Sequence, residues 1–281
     1  MPKGRREKWD TAIRDKTSPD FTVDTVVPTI EEMLTKIDVI LAERVEGMFR
    51  SLSGTHVTNR PEGFSKRRIL DRCYSYGSPC YRKAGSIDDL RKVIASFMGR
   101  EAAEWNASSF AMREAMYRHG EWISLDGGTL RMRAYLKGTI HLEVHPEMAW
   151  RLNGILAMLY PMAIPSHFRE KPARKLKTFA MIQQPISHAV LAVINEMRGR
   201  SSYQKEWSIP FCTDKARADE VEKVLASLGG VRNGQPRTIE FDYNAAPVVA
   251  ELLVNGCIPH QKAHQFYPTP DSVAQQVRIQ A

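Results

Sequence analysis

Apolar positions along the chain repeat with two different periods. From residue 30, Ile30, Met33, Leu34, Ile37, Ile40, Leu41, Val45, Met48 and Phe49 recur every three to four positions. That is the spacing of one apolar face on a helix. Thr29, followed three residues later by Glu32, has the form of a capping box, so this helix is expected to start there and run to about Leu52. Residues 53–64 carry Gly, Asn and Pro and read as a loop, and KRRILDRCY (66–74) reads as a short helix. Ser86 is placed as the cap of IDDLRKVIASFMG, which stops at Gly99. ASSFAMREAMYRHG (107–120) gives a third helix, closed by Gly120.

The period then falls to two. Asp126-Gly127-Gly128 marks a turn, after which Leu130, Met132, Ala134 and Leu136 alternate with Arg131, Arg133 and Tyr135. Ile140, Leu142 and Val144 alternate with His141, Glu143 and His145, and Lys137-Gly138-Thr139 lies between the two runs. The pair predicts a β-hairpin. Pro146 ends it, and MAWRLNGILAMLY returns to helical spacing. The Pro-rich, basic stretch from Pro161 to Lys177 reads as an exposed connection, QPISHAVLAVINEM (184–197) as a helix and SSYQKEW as a loop. DKARADEVEKVLASLGG predicts a helix stopped at Gly229-Gly230. VRNGQPRTIEFDY predicts strand, turn and strand, and APVVAELLVNG a helix ended by Asn255-Gly256.

These elements imply an α+β fold. A basic polar arm (1–20) precedes a mostly helical main domain (21–200) with an inserted antiparallel β-hairpin or small sheet. A small helix-hairpin-helix (αββα) module (201–260) follows, and then a linker (261–281). No internal repeat or low-complexity tract is present.

Composition narrows the class. With 43% hydrophobic and 26% charged residues, the chain has the balance of a soluble globular protein. It holds no run of eighteen apolar residues, so no membrane-spanning helix is expected. The basic start MPKGRREKWD has no apolar stretch behind it, unlike a secretory signal. Cys73, Cys80, Cys212 and Cys257 are scattered, and the first two are too far apart for a CxxC metal knuckle. Reduced thiols in a cytoplasmic protein are the expectation. A net charge of +8 and a pI near 9.3 favour polyanionic partners through long-range attraction.

The chain contains no GxGxxG or GxxxxGK[ST] loop, no nucleophile elbow and no HExxH. Period two places His141, Glu143 and His145 on one strand face. Two imidazoles and a carboxylate suit a divalent metal or acid–base work, but a solvated or DNA-facing strand explains them as well, and no metal is expected. Arg131, Arg133 and Tyr135 occupy the matching face of the first strand, with Lys137 in the turn. Together they offer a polar sheet surface able to hold a phosphate backbone. Arg169, Lys171, Arg174, Lys175 and Lys177, set against Glu170 in the Pro-rich connection, are the second candidates for nucleic-acid contact.

Two stretches carry a resemblance. EVEKVLASLGGVRNGQPRTIEFDYNAAPVVAELLVNGCIPHQKAHQFYPTP resembles the segment just before the catalytic domain of phage and plasmid adenine-specific DNA methyltransferases, where a Phe-(Tyr/Phe)-Pro-Thr-Pro linker opens the cofactor domain. LRMRAYLKGTIHLEVHPEMAWRLNGILA resembles the centre of the family called domain of unknown function 4942, which occupies the same N-terminal position. That family shows Lys-Asn-Gly-Asn-x-His-Leu. In Lys137-Gly138-Thr139-Ile140-His141-Leu142 the lysine and the His-Leu pair are kept, and both asparagines are missing. The resemblance covers about residues 30–276. It implies an accessory region of a methyltransferase. The enzymes themselves need a Gly-containing adenosylmethionine loop and an Asn/Asp-Pro-Pro-aromatic tetrapeptide, and neither occurs in the 281 residues.

The expectation is therefore a non-enzymatic, cytoplasmic, DNA-associated module without cofactor, acting alone or beside a separate catalytic subunit. Its rival is a phage or plasmid regulator that binds a host restriction or defence protein. A weaker alternative is a metal-dependent enzyme built on His141, Glu143 and His145.

Overall fold

The first long apolar stripe is carried by two helices rather than one. The computed structural model describes residues 3–18, 20, 22–52, 59, 62–65, 67–102, 107–173, 182–199, 203–232, 234 and 237–259. After helix α1 (Lys3–Arg14) come α2 (Val23–Thr35) and α3 (Ile37–Arg50). Thr22, not Thr29, stands at the helix start. Its backbone is extended, and its N–H donates to the Thr25 hydroxyl at 3.1 Å. Thr29 lies inside α2, its hydroxyl donating to the Thr25 carbonyl at 2.6 Å. The start moves upstream because Val23, Val26 and Val27 continue the apolar spacing through Pro28. Proline removes one internal donor but does not stop a helix whose other bonds survive. The break falls at Lys36, where ψ rises to 17°.

KRRILDRCY is not a helix. Strand β1 (Arg67–Leu70) is followed by the short hairpin β2 (Tyr74–Ser75) and β3 (Ser78–Pro79), then α4 (Tyr81–Phe97) and α5 (Ala107–Tyr117). Ser86, expected as a cap, is buried inside α4, which begins five residues earlier after Cys80. Next come β4 (Ile123–Leu125), a 3-10 turn at Asp126–Gly128, β5 (Leu130–Ala134), β6 (Ile140–Val144) and α6 (Pro146–Leu159). The hairpin forms as predicted, with Leu130 opposite Val144 and Ala134 opposite Ile140. β1 adds to the far side of β6, so the antiparallel order is β1-β6-β5-β4. Asn59 completes the free edge of β1: its amide donates to the Ile69 carbonyl at 2.7 Å and accepts from the Ile69 N–H at 2.9 Å.

One face of this sheet is the core. Leu70, Leu130, Met132, Ala134, Ile140, Leu142 and Val144 are fully buried with Ile87, Leu90, Ile94 and Met112. α3 packs on α4 and α6, α4 on α5, and α5 on β5. Arg68 points to this core face as well. It is fully buried, with its guanidinium 5.4 Å from the Phe49 ring centre and 5.9 Å from that of Phe64, and burial lowers its pKa to about 10.

The chain separates into two units, Met1–Gln183 and Gln184–Ala281. The second holds α7 (His188–Glu196), β7 (Glu206–Ser208), α8 (Lys215–Ser227), β8 (Val231–Arg232), β9 (Thr238–Glu240) and α9 (Ala246–Asn255). β7 lies in SSYQKEW, expected as a loop, and makes the small sheet three-stranded, β7-β9-β8. Trp207 in β7 pairs with Ile239 and is fully buried among Val221, Leu225, Phe241, Val249 and Leu252. Asp214 caps α8, accepting the Arg217 N–H at 3.0 Å. Gly229 stops α8 in the left-handed region (φ +93°). Gly230 sits so close to the hairpin that an added Cβ would lie 2.6 Å from Ile239 Cγ2 and 2.9 Å from Phe241 Cζ. The fold is α+β. The expected linker, 261–281, lies outside the described residues. Among those described, no helix is long and apolar enough to cross a membrane.

Candidate nucleic-acid interface

The other face of the four-stranded sheet is polar, as period two dictates, but it is not an open solvated surface. The register sets Arg67 (β1), Glu143 (β6) and Arg131 (β5) in one row across three strands. Glu143 is fully buried. Its Oε1 accepts from Arg67 Nε at 2.9 Å and Nη2 at 2.8 Å, and its Oε2 accepts from Arg131 Nε at 2.6 Å. The two arginine side chains remain 43% and 31% exposed. Their guanidinium groups close over the carboxylate, so charge-assisted bonds offset the cost of burying Glu143. Of the strand face expected to be solvated or DNA-facing, Glu143 alone is corrected to fully buried, because β1 supplies a second arginine from 76 positions away.

Trp122, one residue before β4, organises the same face. The guanidinium carbons of Arg131, Arg67 and Arg133 lie 5.0, 5.5 and 5.9 Å from its ring centre. Arg133 also lies 5.3 Å from the Tyr135 ring centre, and Tyr135 packs against His141 with centroids 4.5 Å apart and the rings tilted by 51°. Each of these guanidinium groups lies within 6 Å of an aromatic ring centre, the range of a cation–π contact. Lys137 extends the band at the exposed hairpin tip. There His119, Gly120, Tyr135, Leu136, Lys137, Thr139 and His141 line an open depression of about 400 Å³. Across the band, four cations (Arg67, Arg131, Arg133, Lys137) stand against one carboxylate, Glu143.

Residues 1–162 match the model of a family described as Domain of unknown function (DUF4942). The chain belongs to that family. The match takes in the whole four-stranded sheet and ends just beyond α6, so the DUF4942 region starts earlier than the expected 30 and leaves the second unit outside it. No curated protein and no solved structure matches the chain. The likeness of the C-terminal stretch to methyltransferase entry segments rests on the sequence alone.

The remaining candidates of the DUF4942 region and its flank are scattered. His145 follows β6 as the cap of α6, its Nδ1 accepting the Glu147 N–H at 3.1 Å. With His141 packed against Tyr135 and Glu143 clamped, the three weak metal candidates make different local contacts. Among the described residues no group of three His, Cys, Asp or Glu is placed to hold a metal ion. Arg169 is half-buried after the 3-10 turn Ser166–Phe168, and Lys171 is exposed with Nζ 4.0 Å from Glu147 Oε2. Arg174, Lys175 and Lys177 lie outside the described residues. Cys73 is fully buried, and burial pushes its thiol up to about 12.

A second charged cluster in the DUF4942 region is internal. Asp126, in the left-handed conformation (φ +47°), accepts from Arg91 at 2.7 and 3.0 Å and from Arg100 at 3.0 Å. Arg91 also donates to the Ser108 hydroxyl at 3.3 Å, and the Ser108 N–H donates to Asp88 Oδ1 at 3.1 Å. The cluster ties α4 and α5 to the β4–β5 turn. Burial raises the Asp88 carboxyl to about 6.

Sequence reasoning placed Arg131, Arg133, Tyr135, His141 and Glu143 on one face but missed Arg67 and Trp122. Trp122 joins the face through β4, a three-residue strand whose register, extended by one residue, sets it opposite Arg133, and so short a strand shows no period in the sequence.

Proposed function

We propose that this chain is a DNA-associated binding module whose contact surface is the polar sheet face of its DUF4942 region. The observation that carries the reading is the cation–aromatic band, in which Glu143 neutralises part of the charge and Arg133 and Lys137 remain for a partner. Guanidinium groups set beside aromatic rings suit phosphate oxygens, and contacts to phosphate position a protein without reading bases. The net charge of +8 adds long-range attraction. The C-terminal likeness to methyltransferase entry segments supports service beside an adenine methyltransferase catalytic subunit.

The test is fluorescence anisotropy with several unrelated duplex and single-stranded oligonucleotides at low salt. Binding of similar strength to all of them is expected. No binding to any, together with capture of one host protein from nuclease-treated lysate, would replace this reading with that of a regulator of a host defence protein.

A further inference from the structure

The N-terminal helices present a second surface, unrelated to the sheet face. Val23, Val27, Ile30, Leu34 and Ile37 are 76, 46, 51, 61 and 48% exposed. They follow one another at alternating intervals of four and three residues, the spacing of a seam that seats another helix. This row is not the one that packs on the chain's own core. Val26, Met33 and Ile40, beside it, are half-buried, and farther along α3 Ala42, Val45 and Met48 are buried. On its other side the seam is bordered by Asp24, Glu31 and Asp38. α2 carries three acids and no Lys or Arg.

α1 has the complementary character. It carries Lys3, Arg5, Arg6, Lys8 and Arg14 against Glu7 and Asp10. One turn apart on it, Trp9 and Ile13 are 39% and 59% exposed. In a single chain both the seam and these two residues stay uncovered.

We propose that the chain self-associates as a two-fold pair in which Trp9 and Ile13 of α1 in each copy pack into the Val27–Leu34 seam of α2 in the other. Opposite charge on the two helices sets the pairing, and the two-fold arrangement repeats the contact so that neither seam is left open. An exposed apolar patch on the order of a few hundred Å² marks an interaction site. Two copies of it with their polar margins approach the roughly 1,200–2,000 Å² that stable interfaces bury. A second copy is the occupant the surface fits, because both halves of the contact are on this chain.

Sedimentation equilibrium of the full chain tests this. A dimer dissociating in the micromolar range is expected. Leu34→Asp and Trp9→Ala should each weaken it at least tenfold with unchanged far-UV circular dichroism. Glu31→Lys and Lys8→Glu should each weaken it, and their combination should recover most of the loss. A chain that stays monomeric at every concentration overturns the proposal, as does a dimer indifferent to Leu34→Asp. A dimer that depends on Leu34 and Glu31 but not on Trp9 or Lys8 overturns the assignment of α1 as the occupant.

Discussion

Glu143 ties down two of the arginines on the polar sheet face. Both its oxygens are committed to guanidinium groups, and none of its surface reaches water. Glu143→Gln removes the charge between two arginines and should cost about 2–4 kcal/mol, as for a broken buried ion pair with partly exposed partners. Urea unfolding at neutral pH measures this, and a loss under about 0.5 kcal/mol, the range of an exposed pair, would mean the clamp is not structural. Asp88 makes a prediction of opposite sign. Its folded-state carboxyl is raised to about 6 by burial, so the folded chain holds a proton that the unfolded chain has lost above about pH 3.9. This group's contribution is therefore full below that pH and is lost as pH rises through about 6. Asp88→Asn keeps an acceptor for the Ser108 N–H without the buried charge. It should stabilise the chain at pH 7 by on the order of 1–3 kcal/mol. The gain over wild type should shrink toward pH 4. An asparagine variant less stable than wild type at pH 7 would contradict this.

At the scale of elements, the two glycines after α8 separate conformation from space. Gly229→Ala forces a side chain into a left-handed backbone and should cost about 1 kcal/mol. Gly230→Ala drives a methyl into Ile239 and Phe241 and should cost about 1–3 kcal/mol as overpacking. Thermal or urea melts of the single variants test both, and neutral behaviour in both would mean that α8 does not meet its hairpin as described. The same scale shows what was legible in the sequence. α5, α6, α8, α9 and the β5–β6 hairpin each run long enough for their period to show, and glycine marks several of their ends. β1 and β7 have four and three residues, too few to display a period, and their identity comes from partners far along the chain. Arg67 therefore joins the site only through pairing with β6, which no local pattern encodes. Arg131 and Glu143 could be placed on one face by parity. That Glu143 would be buried could not, because the covering side chain comes from the strand that was missed.

For the whole molecule, the proposed function has this basic chain meet nucleic-acid backbone through the sheet face of its DUF4942 region. Each phosphate neutralised releases counterions, so log Kd should rise with log salt at a slope of about 0.9 per contact. Engagement of Arg133 and Lys137, the two cations of the band that Glu143 does not hold, contributes about 1.8 to that slope. The most direct measurement is that slope for the wild type and for the Arg133→Gln/Lys137→Gln double variant, on two unrelated duplexes. A drop of about 1.8 is expected in the variant, equal on both sequences. A slope unchanged by the double substitution, or a loss confined to one sequence, would contradict it.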